Sequence, residues 1–146
     1  MIKLAREQGI RVVDIMTKDL FVIRSDTPLA KAAALLSERR ISGAPVVSAS
    51  TGKPVGVVSR ADLVDPGRQA LGSTVETAMT RILYGVRPTD PAISAVGLMV
   101  NEKIHRVIVV DGNGKLVGIV TAMDILRSLV HAGPKPSVPL EWVPLA

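Results

Sequence analysis

Val55-Gly56-Val57-Val58-Ser59-Arg60-Ala61-Asp62 is echoed downstream by Val117-Gly118-Ile119-Val120-Thr121-Ala122-Met123-Asp124. Each stretch reads as an apolar strand turning into a helix at a hydroxyl residue, with an aspartate three positions on. Outward from there, Lys53/Lys115 keeps the same offset of 62 residues. Further toward the amino terminus the offset becomes 63, carried by Met16/Met79, Thr17/Thr80, Leu20/Leu83, Arg24/Arg87, Pro28/Pro91, Ala32/Ala95, Leu35/Leu98, Ile41/Ile104, Val46/Val109 and Val47/Val110. The one-residue slip falls in a turn, where a folded unit tolerates it. The chain is therefore two copies of one unit. Neither copy is expected to bury its apolar strands alone, so the pair should fold as one body with two related clefts between the copies.

Local signals place the elements. Residues 1–11 read as an amino-terminal helix stopped at Gly9, and Val12 to Met16 as one helical turn. Leu20 to Ile23 is a short apolar strand. Asp26-Thr27-Pro28 predicts a helix capped by Thr27, with Pro28 at its first position. Leu29, Ala32, Ala33 and Leu36 then recur at helical spacing, and Arg39-Arg40 complement the carboxyl end of the dipole. Gly43 to Val47 and Pro54 to Ser59 are strands joined by a turn-rich hairpin linker. The second copy repeats the order: helical turn 75–79, strand 83–87, a Thr89-Asp90-Pro91 cap, helix 91–102, strand 105–110, turn Asp111-Gly112-Asn113-Gly114, strand 115–121 and helix 122–130. The organisation expected is thus helix 1–11, first repeat 12–64, linker 65–74, second repeat 75–130, and a Pro-rich tail 131–146. That tail carries Trp142 for docking in cis or across a dimer.

Composition narrows the function. The 146 residues are 47% hydrophobic with a single Phe, Tyr and Trp, so the core is aliphatic and the aromatic platforms of single-stranded nucleic-acid binders are missing. The net charge of +5 comes from dispersed residues rather than a dense block, which disfavours nucleic acid as partner and leaves the basic balance to attract phosphorylated ligands. The absence of Cys excludes disulfides, thiolate metal sites and a Cys nucleophile. No apolar run reaches the ~18 residues of a membrane span, and no signal-peptide stretch is read at the start, so a soluble cytoplasmic protein is expected. Two histidines, with no Gly-x-Ser-x-Gly and no Gly-rich Lys-Ser/Thr loop, give no nucleophile-base pair, and neither a catalytic nor a metal site is expected.

The order of a short helix ending in Met-Thr, a strand, a Pro-started helix, an apolar Val-Val strand, a Gly-Val/Ile-Val strand and Ser/Thr-x-x-Asp resembles the cystathionine β-synthase (CBS) domain. Two copies in register over about residues 12–130 resemble the tandem pair called a Bateman module. The resemblance implies an α/β fold: two βαββα repeats with small three-stranded sheets packed about a pseudo-twofold axis. It also implies a regulatory binder of AMP, ADP, ATP or S-adenosylmethionine, with no obligatory cofactor. No fused enzyme domain is read here, so a stand-alone module acting in trans on another protein, and forming a homodimer, is expected.

The residues of the two clefts follow from the same resemblance. Ser59 and Thr121 sit where a helix start can hold a phosphate, and Asp62 and Asp124 can accept ribose hydroxyls. Ordinary N-capping explains the same four residues. At the next motif the second copy has His105 and Arg106, both suited to phosphate, where the first has Ser42 and Gly43. The family analogy borrows the base-binding wall from the opposite copy. A stronger site is therefore expected from Asp124, Thr121, His105 and Arg106 with Met16, Thr17, Leu20 and Phe21. A weaker one is expected from Asp62, Ser59 and Ser42 with Met79, Thr80, Leu83 and Tyr84, aided by Arg60. Met16, Met79, Leu20 and Leu83 read equally as core. On this basis Asp124→Ala should abolish tight nucleotide binding and Asp62→Ala should spare most of it. The competing reading is a dimerising scaffold whose clefts are empty.

Overall fold

A computed structural model describes residues 9–70, 72–81 and 84–132. The helix expected over residues 1–11, Leu83, and the tail with Trp142 fall wholly or mainly outside those residues. The order is α1 (Val12–Ile15), β1 (Ile23–Arg24), α2 (Leu29–Glu38), β2 (Gly43–Val47), β3 (Pro54–Ser59), α3 (Arg60–Val64), α4 (Pro66–Gln69), α5 (Val75–Ala78), β4 (Thr80–Arg81), β5 (Gly85–Val86), α6 (Ala92–Glu102), β6 (Arg106–Val110), β7 (Leu116–Thr121) and α7 (Ala122–Ala132). Each repeat is βαββα, as expected.

In the first sheet β1 lies parallel to β2, and β2 and β3 form an antiparallel hairpin. The second sheet has the same plan in β5, β6 and β7. The hairpin turns close on Gly52 and Gly114, at φ of 73° and 78°, a left-handed conformation that glycine adopts without strain. The expectation of two three-stranded sheets is corrected in one place. β4, from the start of the second repeat, pairs antiparallel with β3 and makes the first sheet four-stranded. The matching contact in the other sheet is a single bridge between Thr17 and Ile119.

That crossing over of the lead-in segments organises the whole molecule. The first core is Ile23, Ala32, Leu36, Ala44, Val46, Val58 and Leu63 together with Val75 and Met79 from the start of the second repeat. The second core is Val86, Ala95, Val107, Val109 and Val120 together with Val12 from the start of the first. Backbone bonds repeat the exchange at the 63-residue offset. Val12 N–H donates to Asp90 at 2.8 Å and Val75 N–H to Thr27 at 2.9 Å, while Ala92 N–H donates to Ile10 at 2.9 Å and Leu29 N–H to Ser73 at 3.0 Å. Reciprocal bonds of this kind are what a pseudo-twofold relation requires.

The exchange also corrects the helix starts. Pro28 and Pro91 are themselves the N-caps, with no side-chain cap bond, so Thr27 does not cap α2. The free N–H groups of Leu29 and Ala92 find carbonyls on the opposite repeat's lead-in chain instead. Similarly, Arg60 is spent on structure rather than on a ligand. Its Nε donates to the Ile41 carbonyl at 3.0 Å and its guanidinium to Leu36 at 3.2 Å, covering the carboxyl end of α2.

Candidate functional site

Strand alternation decides what faces the space between the repeats. Val57 and Ser59 project from one face of β3, and Arg106 and Ile108 from one face of β6. With Asp62, Thr80, Arg81, Tyr84, Glu102, Ile104 and His105 they line a cleft of about 330 Å³. Its lining combines apolar with polar and charged residues, the usual make-up of a small-molecule site.

Asp62 and Ser59 form a reciprocal capping box at the start of α3. Asp62 Oδ2 accepts from Ser59 N–H at 2.9 Å, and Ser59 Oγ accepts from Asp62 N–H at 3.2 Å. Thr121 and Asp124 repeat this at 2.8 and 3.1 Å. The capping role is thus real at both positions, and it leaves one carboxylate oxygen of each aspartate outside the box. Asp62 Oδ1 lies 3.6 Å from Arg68 Nε, and Asp124 Oδ1 lies 3.4 Å from Arg127. Arg68 is the better anchored of the two cations. Its guanidinium donates to the carbonyl of Ala78 at 2.7 Å and to that of Met79 at 3.3 Å, immediately before the cleft strand β4. One side chain from α4 thereby ties the aspartate on one wall to the backbone leading into the other.

The residues expected at two sites are partitioned differently. His105 and Arg106 line the cleft of Asp62 and Ser59, together with Thr80 and Tyr84, and Asp124 and Thr121 lie outside it. The reason is visible at Ser42-Gly43. The Arg106 guanidinium crosses to the first repeat and donates to Ser42 Oγ. A β-carbon on Gly43 would stand 3.1 Å from Arg106 Cζ. The first copy's uncharged Ser42-Gly43 is therefore where the second copy's arginine lies, and His105 and Arg106 line the cleft of Asp62 rather than that of Asp124.

The other expected residues are placed as follows. Met79 is buried over Gly56 and Met16 packs against the second core over Gly118, so both serve as core. Thr17 bridges Ile119 through its backbone at 2.8 Å. Leu20 is half-buried and outside the cleft lining. Phe21 packs on the first core beneath Arg39, whose guanidinium sits 4.1 Å from the ring centroid. Leu83 is outside the described residues. Val57, Arg81, Glu102, Ile104 and Ile108 line the cleft without having been expected there from the sequence. Period-two stepping from Ser59 and Arg106 finds Val57 and Ile108; nothing local in the sequence marks Glu102. Among the described residues, no group of His, Asp and Glu could hold a metal ion, and no helix is long and apolar enough to cross a membrane.

Comparison with known proteins agrees with this architecture. The CBS domain family model matches twice, at residues 12–66 and 75–131. The chain is 34% identical over 119 residues to the inosine-5'-monophosphate dehydrogenase of Mycobacterium leprae, covering 80% of this chain and 22% of that enzyme. It spans 42% of another curated relative. Among solved structures, CBSX2 in complex with AMP superposes with a TM-score of 0.75 at 32% identity, covering 85% of this chain and 98% of that one. The CBS domain pair of protein MJ0100, in complex with 5'-methylthioadenosine and S-adenosyl-L-methionine, gives 0.75 at 30% identity with the same coverage. With both family matches falling on the two repeats derived from the sequence, the chain belongs to the CBS domain family and carries the domain as a tandem pair.

Proposed function

We propose that this chain is a regulatory module which binds an adenosine-containing ligand between its two repeats and conveys the binding to another protein. The observation that carries the reading is a cleft to which both repeats contribute, Ser59 and Asp62 from one, Thr80, Tyr84, His105 and Arg106 from the other. In it, Asp62 accepts the ribose hydroxyls, the apolar residues take the base, and Arg106, His105 and the Ser59 hydroxyl take the phosphate. A ligand touching both repeats favours one arrangement of them, and the regulated protein reads that arrangement. An exposed apolar stripe on α7, Met123, Leu126 and Val130, supports the homodimer implied by the family resemblance.

Titration calorimetry with AMP tests the reading on the wild type, Asp62→Ala and Asp124→Ala. Asp62→Ala is expected to lose AMP binding at least about tenfold, and Asp124→Ala to stay within about threefold, because the phosphate-binding pair faces Asp62. Equal losses would reject the assignment of the ligand to the Asp62 cleft, and no binding by the wild type would reject the reading in favour of a scaffold with empty clefts. The complex of protein MJ0100 with S-adenosyl-L-methionine favours a second reading, in which the ligand carries no phosphate. Replacing Arg106 by Ala then separates the two, weakening AMP while sparing S-adenosylmethionine.

A further inference from the structure

The charges that line the cleft cancel. Among the described residues Arg81 and Arg106 face Asp62 and Glu102. In the reading proposed above, on which this inference rests, Asp62 serves the ribose. Two guanidinium groups and one carboxylate then remain for the rest of the ligand. That surplus of one positive charge is already used up by a single phosphate group, which carries about −1.5 to −2 at pH 7. A di- or triphosphate would bring further negative charge into the space that Glu102 shares, and like charges at short range repel.

Glu102 is placed for this role by the backbone. It is the last residue of α6, three before His105, and the left-handed Lys103 that follows turns the chain sharply toward β6. At the matching position of the first repeat stands Arg39, of opposite charge, drawn over Phe21. The repeats thus differ in sign at one structurally equivalent site, and the negative copy is the one in the cleft. Two solved relatives hold ligands of low phosphate count, one AMP and the other 5'-methylthioadenosine and S-adenosyl-L-methionine.

We propose that Glu102 is a specificity-determining residue that restricts the cleft to adenosine ligands with at most one phosphate by repelling the second and third phosphate groups. Calorimetry on the full chain with AMP, ADP and ATP, without divalent cations, tests it on the wild type, Glu102→Gln and Glu102→Arg. The wild type is expected to bind AMP about tenfold or more tighter than ATP. Glu102→Gln should shrink that ratio severalfold and Glu102→Arg should abolish or invert it, with ATP gaining more affinity than AMP in both variants. Raising the salt concentration should narrow the wild-type gap more than that of Glu102→Gln, because the repulsion is screened. Circular dichroism verifies that the variants fold, which an exposed helix-end position favours.

A wild type that binds ATP as tightly as AMP, or a ratio indifferent to both substitutions, overturns this inference and leaves the proposed function standing. A wild type that binds none of the three overturns both.

Discussion

Gly43 and Arg106 occupy the same position in the two repeats, yet one is a seat and the other its occupant. A second pair of glycines shows the same dependence on the opposite repeat. A β-carbon on Gly56 would stand 2.6 Å from Met79 Sδ and 2.7 Å from the Thr80 carbonyl oxygen. The three atoms nearest one on Gly118 all belong to the Met16 side chain, the closest at 2.6 Å. A thioether can swing away, whereas a carbonyl held in a sheet cannot. Gly56→Ala is therefore expected to cost about 2–3 kcal/mol and Gly118→Ala under about 1.5 kcal/mol, measured by urea denaturation; equal costs would contradict the asymmetry. At this scale Ser59, Asp62, Thr121 and Asp124 were legible in the sequence, because a capping box is a local pattern. The partnership of Arg106 with Ser42 and Gly43 was not, since Arg106 stands 64 positions from Ser42 and only the mismatch of the two copies is visible. Read alone, that mismatch looks like a lost charge.

Helices and strands were legible wherever their own residues decide them. The β2–β3 hairpin, the β6–β7 hairpin and the run of α2 follow from alternation, turn glycines and helical spacing. β4 and α4 were missed because each depends on something distant: Thr80-Arg81 becomes a strand by pairing with Gly56 and Val57, and Pro66–Gln69 is held by Asp65 capping and by the bonds of Arg68. The same dependence makes α1 an informative target. Val12 is fully buried in the core of the second repeat although it precedes the first. Val12→Ala should destabilise the protein by about 1–3 kcal/mol. Hydrogen exchange should then quicken at Val107, Val109 and Val120 at least as much as at Val46 and Val58; protection lost chiefly in the first repeat would argue against the exchanged packing.

The molecule as a whole has two hydrophobic cores but no separable halves, since each core is completed by a segment belonging to the other repeat. Thermal unfolding is accordingly expected as one calorimetric transition whose calorimetric and van't Hoff enthalpies agree; two resolved transitions would show the repeats melting independently. The duplication and the need for one common body were readable from the offset of 63 residues, and the βαββα order from local signals together with the family resemblance. Which repeat completes which core was not, because apolar spacing does not name a partner.

Severed within residues 65–74, either half would keep both a hook and an eye: an opening helix that fits the other's socket, and a socket shaped for the other's helix. Covalent continuity gives such halves an effective concentration on the order of millimolar, independent of dilution. The peptide between the repeats is thus a tether that turns what would be a second-order encounter into a first-order closure.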